Sequence, residues 1–199
     1  MHISRHGTAA RRIQLKIMGR NKFLIGTIVV FHMLVLGSQL AAAQAVTRYD
    51  VFGGYSYLRL DSKSYGYSSY SNLNGANLAG AFNLTRNFSG VVDLGSTFAQ
   101  NQHVYTFMAG PQASLQRYKG RLFAHALFGK ARNGNEIPGV GSSLGRSLAF
   151  GGGYDFPFRH RFSIRLFQAE YLSTNTYGTT QNNVRVSAGV VFHFGKTLK

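Results

Sequence analysis

From Asn182 to Phe194 the side chains alternate strictly enough to limit what the chain can fold into. Val184, Val186, Ala188, Val190, Phe192 and Phe194 share one parity and are all apolar. Asn183, Arg185, Ser187, Gly189 and His193 share the other, broken only at Val191. A period of two is the mark of an extended strand whose two faces meet different surroundings. The same alternation returns in stretches of about ten residues along the chain. Strands are expected at Asp50–Leu60, Gly75–Leu84, Phe88–Ala99, His103–Gln116, Leu122–Arg132, Arg146–Phe156, Phe162–Ser173 and Asn182–Phe194.

The connections between these segments alternate too. Short ones (Thr85–Asn87, Arg117–Arg121, Pro157–Arg161) interleave with Asp61–Asn74, a brief Gln100–Gln102, Asn133–Gly145 and Thr174–Gln181, which are polar and mostly longer. Short turns at one end and longer loops at the other are the pattern of an up-and-down barrel in a bacterial outer membrane. A soluble sandwich would turn its apolar parity inward, whereas a membrane barrel turns it outward to lipid. Periodicity cannot choose between them, but two other features can.

The first is the N-terminal segment. Phe23–Leu36 (FLIGTIVVFHMLVL) is an apolar run preceded by bases and followed by Ser38-Gln39-Leu40-Ala41-Ala42-Ala43-Gln44-Ala45. Basic, apolar and small-residue regions in that order make a secretory signal peptide. The run is too short for a hydrocarbon core, which needs about 20 residues. Residues 1–43 are therefore expected to be a signal peptide, cut after Ala43 or Ala45, followed by the barrel at 46–194 and a short tail at 195–199.

The second is aromatic placement. Tyr55, Tyr57, Phe82, Tyr105, Phe107, Tyr171, Phe192 and Phe194 sit near strand ends on the apolar parity, as the girdles at bilayer interfaces do. Charged residues are only 14% of the chain, against about 25% in soluble domains. The expectation is an all-β fold, an eight-stranded antiparallel transmembrane up-and-down β-barrel preceded by a signal peptide.

Net charge of +16 suggests nucleic acid until it is divided. Arg5, Arg11, Arg12, Lys16, Arg20 and Lys22 precede the cleavage region, and all six acids follow it. The remaining bases are scattered, with no basic helix to enter a groove, so no nucleic-acid partner is expected. The absence of cysteine removes thiolate metal sites and cysteine nucleophiles, and the histidines lack metal-ligand spacing. No cofactor is expected.

Gly141-Ser142-Ser143-Leu144-Gly145 spells a nucleophile-elbow pattern, but that elbow needs a following helix and a parallel sheet. His125 and Glu170 could serve a membrane-embedded lipid hydrolase, a third reading after a structural or surface-interaction barrel and a small porin-like channel; no enzyme is expected. On the polar parity Asp93, Arg165, Gln168, Glu170, Arg185 and His193 are expected in the lumen, where a charge must be paired. Glu170 falls opposite Arg185 provided a bulge near Leu166–Phe167 corrects the parity of Arg165.

Four stretches then resemble the outer-membrane β-barrel domain family of OmpA-like proteins, small eight-stranded barrels of Gram-negative cells. They are Asp50–Tyr57 (DVFGGYSY), Tyr105–Pro111 (YTFMAGP), Phe123–Gly129 (FAHALFG) and Gln181–Gly189 (QNNVRVSAG). Ser187, Gly189, Phe192 and Phe194 are similar to the terminal signal read by the barrel assembly machinery, except that Gly195–Lys199 follows it. The resemblance implies outer-membrane lipid and that machinery as partners, and a possible surface ligand at the loops. Intact-mass analysis of the exported protein should find Gln44 or Val46 at its N-terminus; a retained Met1 or Met18 would overturn the signal reading.

Overall fold

A computed structural model describes residues 46–62, 70–100, 102–117, 120–135 and 141–198. The signal peptide expected at 1–43 and its cleavage sites lie outside the described residues. Eight strands follow in order: β1 (Thr47–Leu60), β2 (Ser71–Asn83), β3 (Phe88–Ala99), β4 (Gln102–Arg117), β5 (Gly120–Asn135), β6 (Ser143–Arg159), β7 (Phe162–Thr176) and β8 (Thr179–Thr197). Each pairs antiparallel with its neighbours, and β8 returns to β1 to close the barrel. Closure leaves no unpaired edge, which hydrocarbon would penalise at every amide.

Several strands run further than the alternation suggested. The connection expected at Thr174–Gln181 is a hairpin turning at Tyr177 and Gly178, both with positive φ (55° and 73°). That geometry matches the twist of the flanking strands, but it is strained for tyrosine. The Tyr177 amide donates to Ser143 Oγ at 2.8 Å and its hydroxyl to the Asn133 carbonyl at 3.2 Å, so the tip is tied to β5 and β6. The tail expected at 195–199 is mostly strand: Thr197 is in register with Thr47, and Leu198 N donates to Val46 O at 2.8 Å.

The last strand sorts its residues by parity. Val184, Val186 and Val190 are exposed, while Arg185 and Ser187 are buried. Phe192 lies outward between the rings of Phe162 and Phe194. Val191, the exception in the sequence, is buried in the interior apolar cluster. Outward-facing Leu78, Leu94, Phe107, Phe128, Phe150 and Tyr171 continue the apolar wall around the barrel. The expected bulge is present: the β7–β8 register breaks between Arg165 and Gln168, and Leu166 and Phe167 both face outward. An apolar outside around a polar inside inverts the arrangement of a soluble sandwich and matches a bilayer.

Candidate functional site: the lumen

Every strand contributes an inward polar side chain to the lumen, and those charges form two linked groups. The central group is built on Arg185 of β8, which is 2% exposed. Its Nε donates to Glu170 Oε2 at 2.5 Å and its Nη2 to Asp93 Oδ1 at 2.9 Å. Glu170 and Arg185 are direct register partners on β7 and β8. Asp93 comes from β3, across the barrel, and also accepts from Asn77 Nδ2 at 2.9 Å. His125 Nε2 lies 2.8 Å from Glu170 Oε1, which also accepts from Arg185 Nη2 at 3.0 Å.

Two glycines make room for this group. A Cβ on Gly95 would lie 2.8 Å from Arg185 Nη1, and one on Gly151 would lie 2.5 Å from Glu170 Cγ. Any side chain there would displace the ion pair, which is why these strands accept the conformational cost of glycine.

The second group lies toward the end that carries the short turns and both ends of the barrel chain. Arg121 bridges Asp50 at 2.6 Å and Asp155 at 3.0 Å. Arg165 binds Asp155 at 2.7 Å, with its guanidinium carbon 4.3 Å from the Phe52 ring centroid and 4.2 Å from that of Phe123. It joins the groups by donating to Gln168 Oε1 at 2.6 Å. Toward the loop end, Leu58, Leu60, Leu73, Val104 and Leu172 belong to one buried apolar cluster above the charges. Between the two charge groups the void measures about 10 Å³, barely the space of one water.

Of the residues singled out in the sequence, Asp93, Glu170 and Arg185 meet in the central group, whereas Arg165 joins Asp155 and Gln168 in the other. Ser187 is buried, 3.0 Å from Ser56 Oγ, while Phe192 and Phe194 stack on the outer wall. Sequence reasoning missed Asp50, Arg121 and Asp155. The sequence puts Arg121 in the Arg117–Arg121 turn, but β5 begins at Gly120 and turns its side chain inward. Asp50 shares its parity with inward Phe52 and Leu58, and Asp155 with inward Gly151 and Gly153, so strand parity was the available signal.

One further chain of contacts lies at the turn end. Ser163 Oγ is 2.7 Å from His193 Nε2, and His193 Nδ1 is 2.7 Å from Asp50 Oδ1. All three line an open cup of about 420 Å³. The connectivity is that of a serine–histidine–acid relay. Here, however, Asp50 also accepts from Arg121 and from Asn83 Nδ2 at 2.9 Å, so its charge is already engaged. Ser143, the nucleophile position of the elbow-like sequence, opens β6, where its Oγ accepts from the Tyr177 amide at 2.8 Å.

No protein-family model and no curated protein matches the sequence. Solved structures do match. Neisserial surface protein A aligns with 76% of this chain and 100% of its own at 12% identity and TM-score 0.60. Ail, the attachment invasion locus protein of Yersinia pestis, aligns with 74% of this chain and 99% of its own at 22% identity and TM-score 0.50. The fold is that of small eight-stranded outer-membrane barrels.

The network makes an unequal pair of predictions. Arg185→Gln should strand two buried acids and cost about 3–5 kcal/mol. Glu170→Gln should cost less, because Arg185 keeps Asp93. Urea unfolding of the single and double variants in lipid should give a coupling of about 0.5–3 kcal/mol; strictly additive losses would show that the pair does not form.

Proposed function

We propose that this chain is a structural, surface-displaying barrel of the outer membrane that does not conduct. The plugged middle of the lumen carries this reading: beyond the open cup at the turn end, two charge groups and a layer of leucines occupy the interior, with a void of about 10 Å³ between the charge groups. The apolar wall supports insertion in outer-membrane lipid. The chain would arrive through a signal peptide at residues 1–43 and be inserted by the barrel assembly machinery reading Ser187, Gly189, Phe192 and Phe194. The connection after β1, rich in Tyr, Ser, Gly and Asn, has a composition that suits adaptable binding. Display of such loops to a surface ligand agrees with the names of Ail, for attachment and invasion, and of the Neisserial surface protein.

The small-porin reading needs a continuous aqueous path, which the salt-bridged interior opposes. The folded protein should show no discrete current steps in planar bilayers at neutral pH. Single-channel openings would overturn the non-conducting reading.

A second reading is favoured by one observation only, the Ser163–His193–Asp50 chain. If that chain is structural, a fluorophosphonate probe should leave Ser163 unmodified when the folded protein is mapped by peptide mass spectrometry. Modification at Ser163 that disappears in His193→Gln would replace the structural reading with a serine hydrolase.

A further inference from the structure

A glutamine and a histidine lie deep in the lumen, and each is held at only one end. Gln168 comes inward because the bulge at Leu166–Phe167 resets the parity of β7, and it is 1% exposed. His125 of β5 is 7% exposed and reaches Glu170 across Gly151, which stands between them in the register and carries no side chain. Among the described residues, Gln168 Nε2 and His125 Nδ1 have no hydrogen-bond partner. Buried polar atoms in folded proteins are nearly all paired, because an unpaired one has lost its bond to solvent without replacement.

The held ends decide what the other ends offer. Gln168 Oε1 accepts from Arg165 Nη1, which fixes the amide with its nitrogen as a donor. His125 Nε2 faces a carboxylate oxygen of Glu170, so it carries the ring proton on that side. Nδ1 is left to accept when the ring is neutral and to donate when it is charged. Its partner must be able to do both, and to accept from Gln168 as well.

Both side chains line the void of about 10 Å³ between the charge groups. That space admits one water-sized molecule. Asp50, Asp93, Arg121 and Arg165 share its wall. Two acids and two guanidinium groups leave no net charge to select an ion, and each is already engaged in an ion pair. Size, neutrality and the mixed demand for donor and acceptor all fit water.

We propose that one water molecule is bound there, hydrogen-bonded to Gln168 Nε2 and His125 Nδ1 together. It completes the connection that Arg165 begins. The cup-side and central charge groups then form one network through Gln168, the water, His125 and Glu170. A water held by such partners belongs to the structure as a side chain does. The site rests on the plugged lumen read above, since it is a single enclosed molecule and not part of a file of water.

Water-selected NOE spectroscopy on isotope-labelled protein folded in phospholipid nanodiscs tests this. The Gln168 side-chain amide and the His125 ring proton beside Nδ1 should both show cross-peaks to water, with the sign of a rigid, long-lived contact. Gln168→Met keeps the side-chain length and removes the donor, and the His125 cross-peak should then be lost. A heat-modifiability gel confirms that the variant is folded. If it is not, a crystal structure of the wild type serves instead: a single peak should lie within about 3.2 Å of both nitrogens.

Three results would overturn the proposal: no cross-peak at either group, a His125 cross-peak undiminished in folded Gln168→Met, or no such peak in a crystal structure that shows other interior waters. Cross-peaks continuing to buried Thr106 and Ser147 toward the loop end would instead show an aqueous lumen. That outcome would remove the non-conducting reading on which the site rests.

Discussion

A strand in hydrocarbon has no water to receive its amides, so every backbone group must be paired within the protein. The pairing of β8 with β1 meets that demand, and the rest of the structure follows from it. A closed sheet of eight strands encloses a space only wide enough for side chains. Because the outer face is committed to lipid, the polar residues of each strand have one place left to go. The lumen must then satisfy them with one another, since a buried charge without a partner is far more costly than a weak pair.

That demand explains why the interior charges are shared rather than simply paired. Arg185 binds two acids from different strands, Arg121 does the same, and Asp155 receives two arginines. A guanidinium has five donors in a fixed plane, so one can bridge carboxylates that enter from opposite walls. Arg165 adds contact with two rings, filling with apolar surface the directions where it has no acceptor. The glycines opposite Glu170 and beside Arg185 belong to the same arrangement, because the guanidinium occupies volume that a side chain would otherwise fill.

Much of this was legible from side-chain parity, and the misses have physical causes. The eight strands were readable because each carries a clean two-residue period, and the bulge at Leu166–Phe167 because Arg165 and Glu170 fall on opposite parities. Strand ends were under-read wherever polar residues took over at the rim. Thr174 and Gln181 look like loop residues in sequence, yet they hydrogen-bond to each other inside the barrel. The Glu170–Arg185 juxtaposition followed from register, but Asp93 as the third member did not. Its strand lies across the lumen from β8, and contacts across a barrel leave no mark on local periodicity. The outward bases Lys130, Arg132 and Arg146 of β5 and β6 were hidden for the opposite reason: in sequence they read as part of a scattered basic excess.

The lumen decides where part of that excess lies. Interior packing consumes acids and bases in unequal proportion to the chain's supply. Four buried acids are answered by Arg121, Arg165 and Arg185 with help from His125 and His193. The chain is rich in lysine and arginine and holds few acids; among the described residues most carboxylates are buried in the lumen, while most bases are at the rims and on the wall. A basic composition that would suggest nucleic acid in a soluble protein has another origin here. It leaves the exterior cationic at the margins of the hydrocarbon belt, where lipid headgroups are the nearest anions.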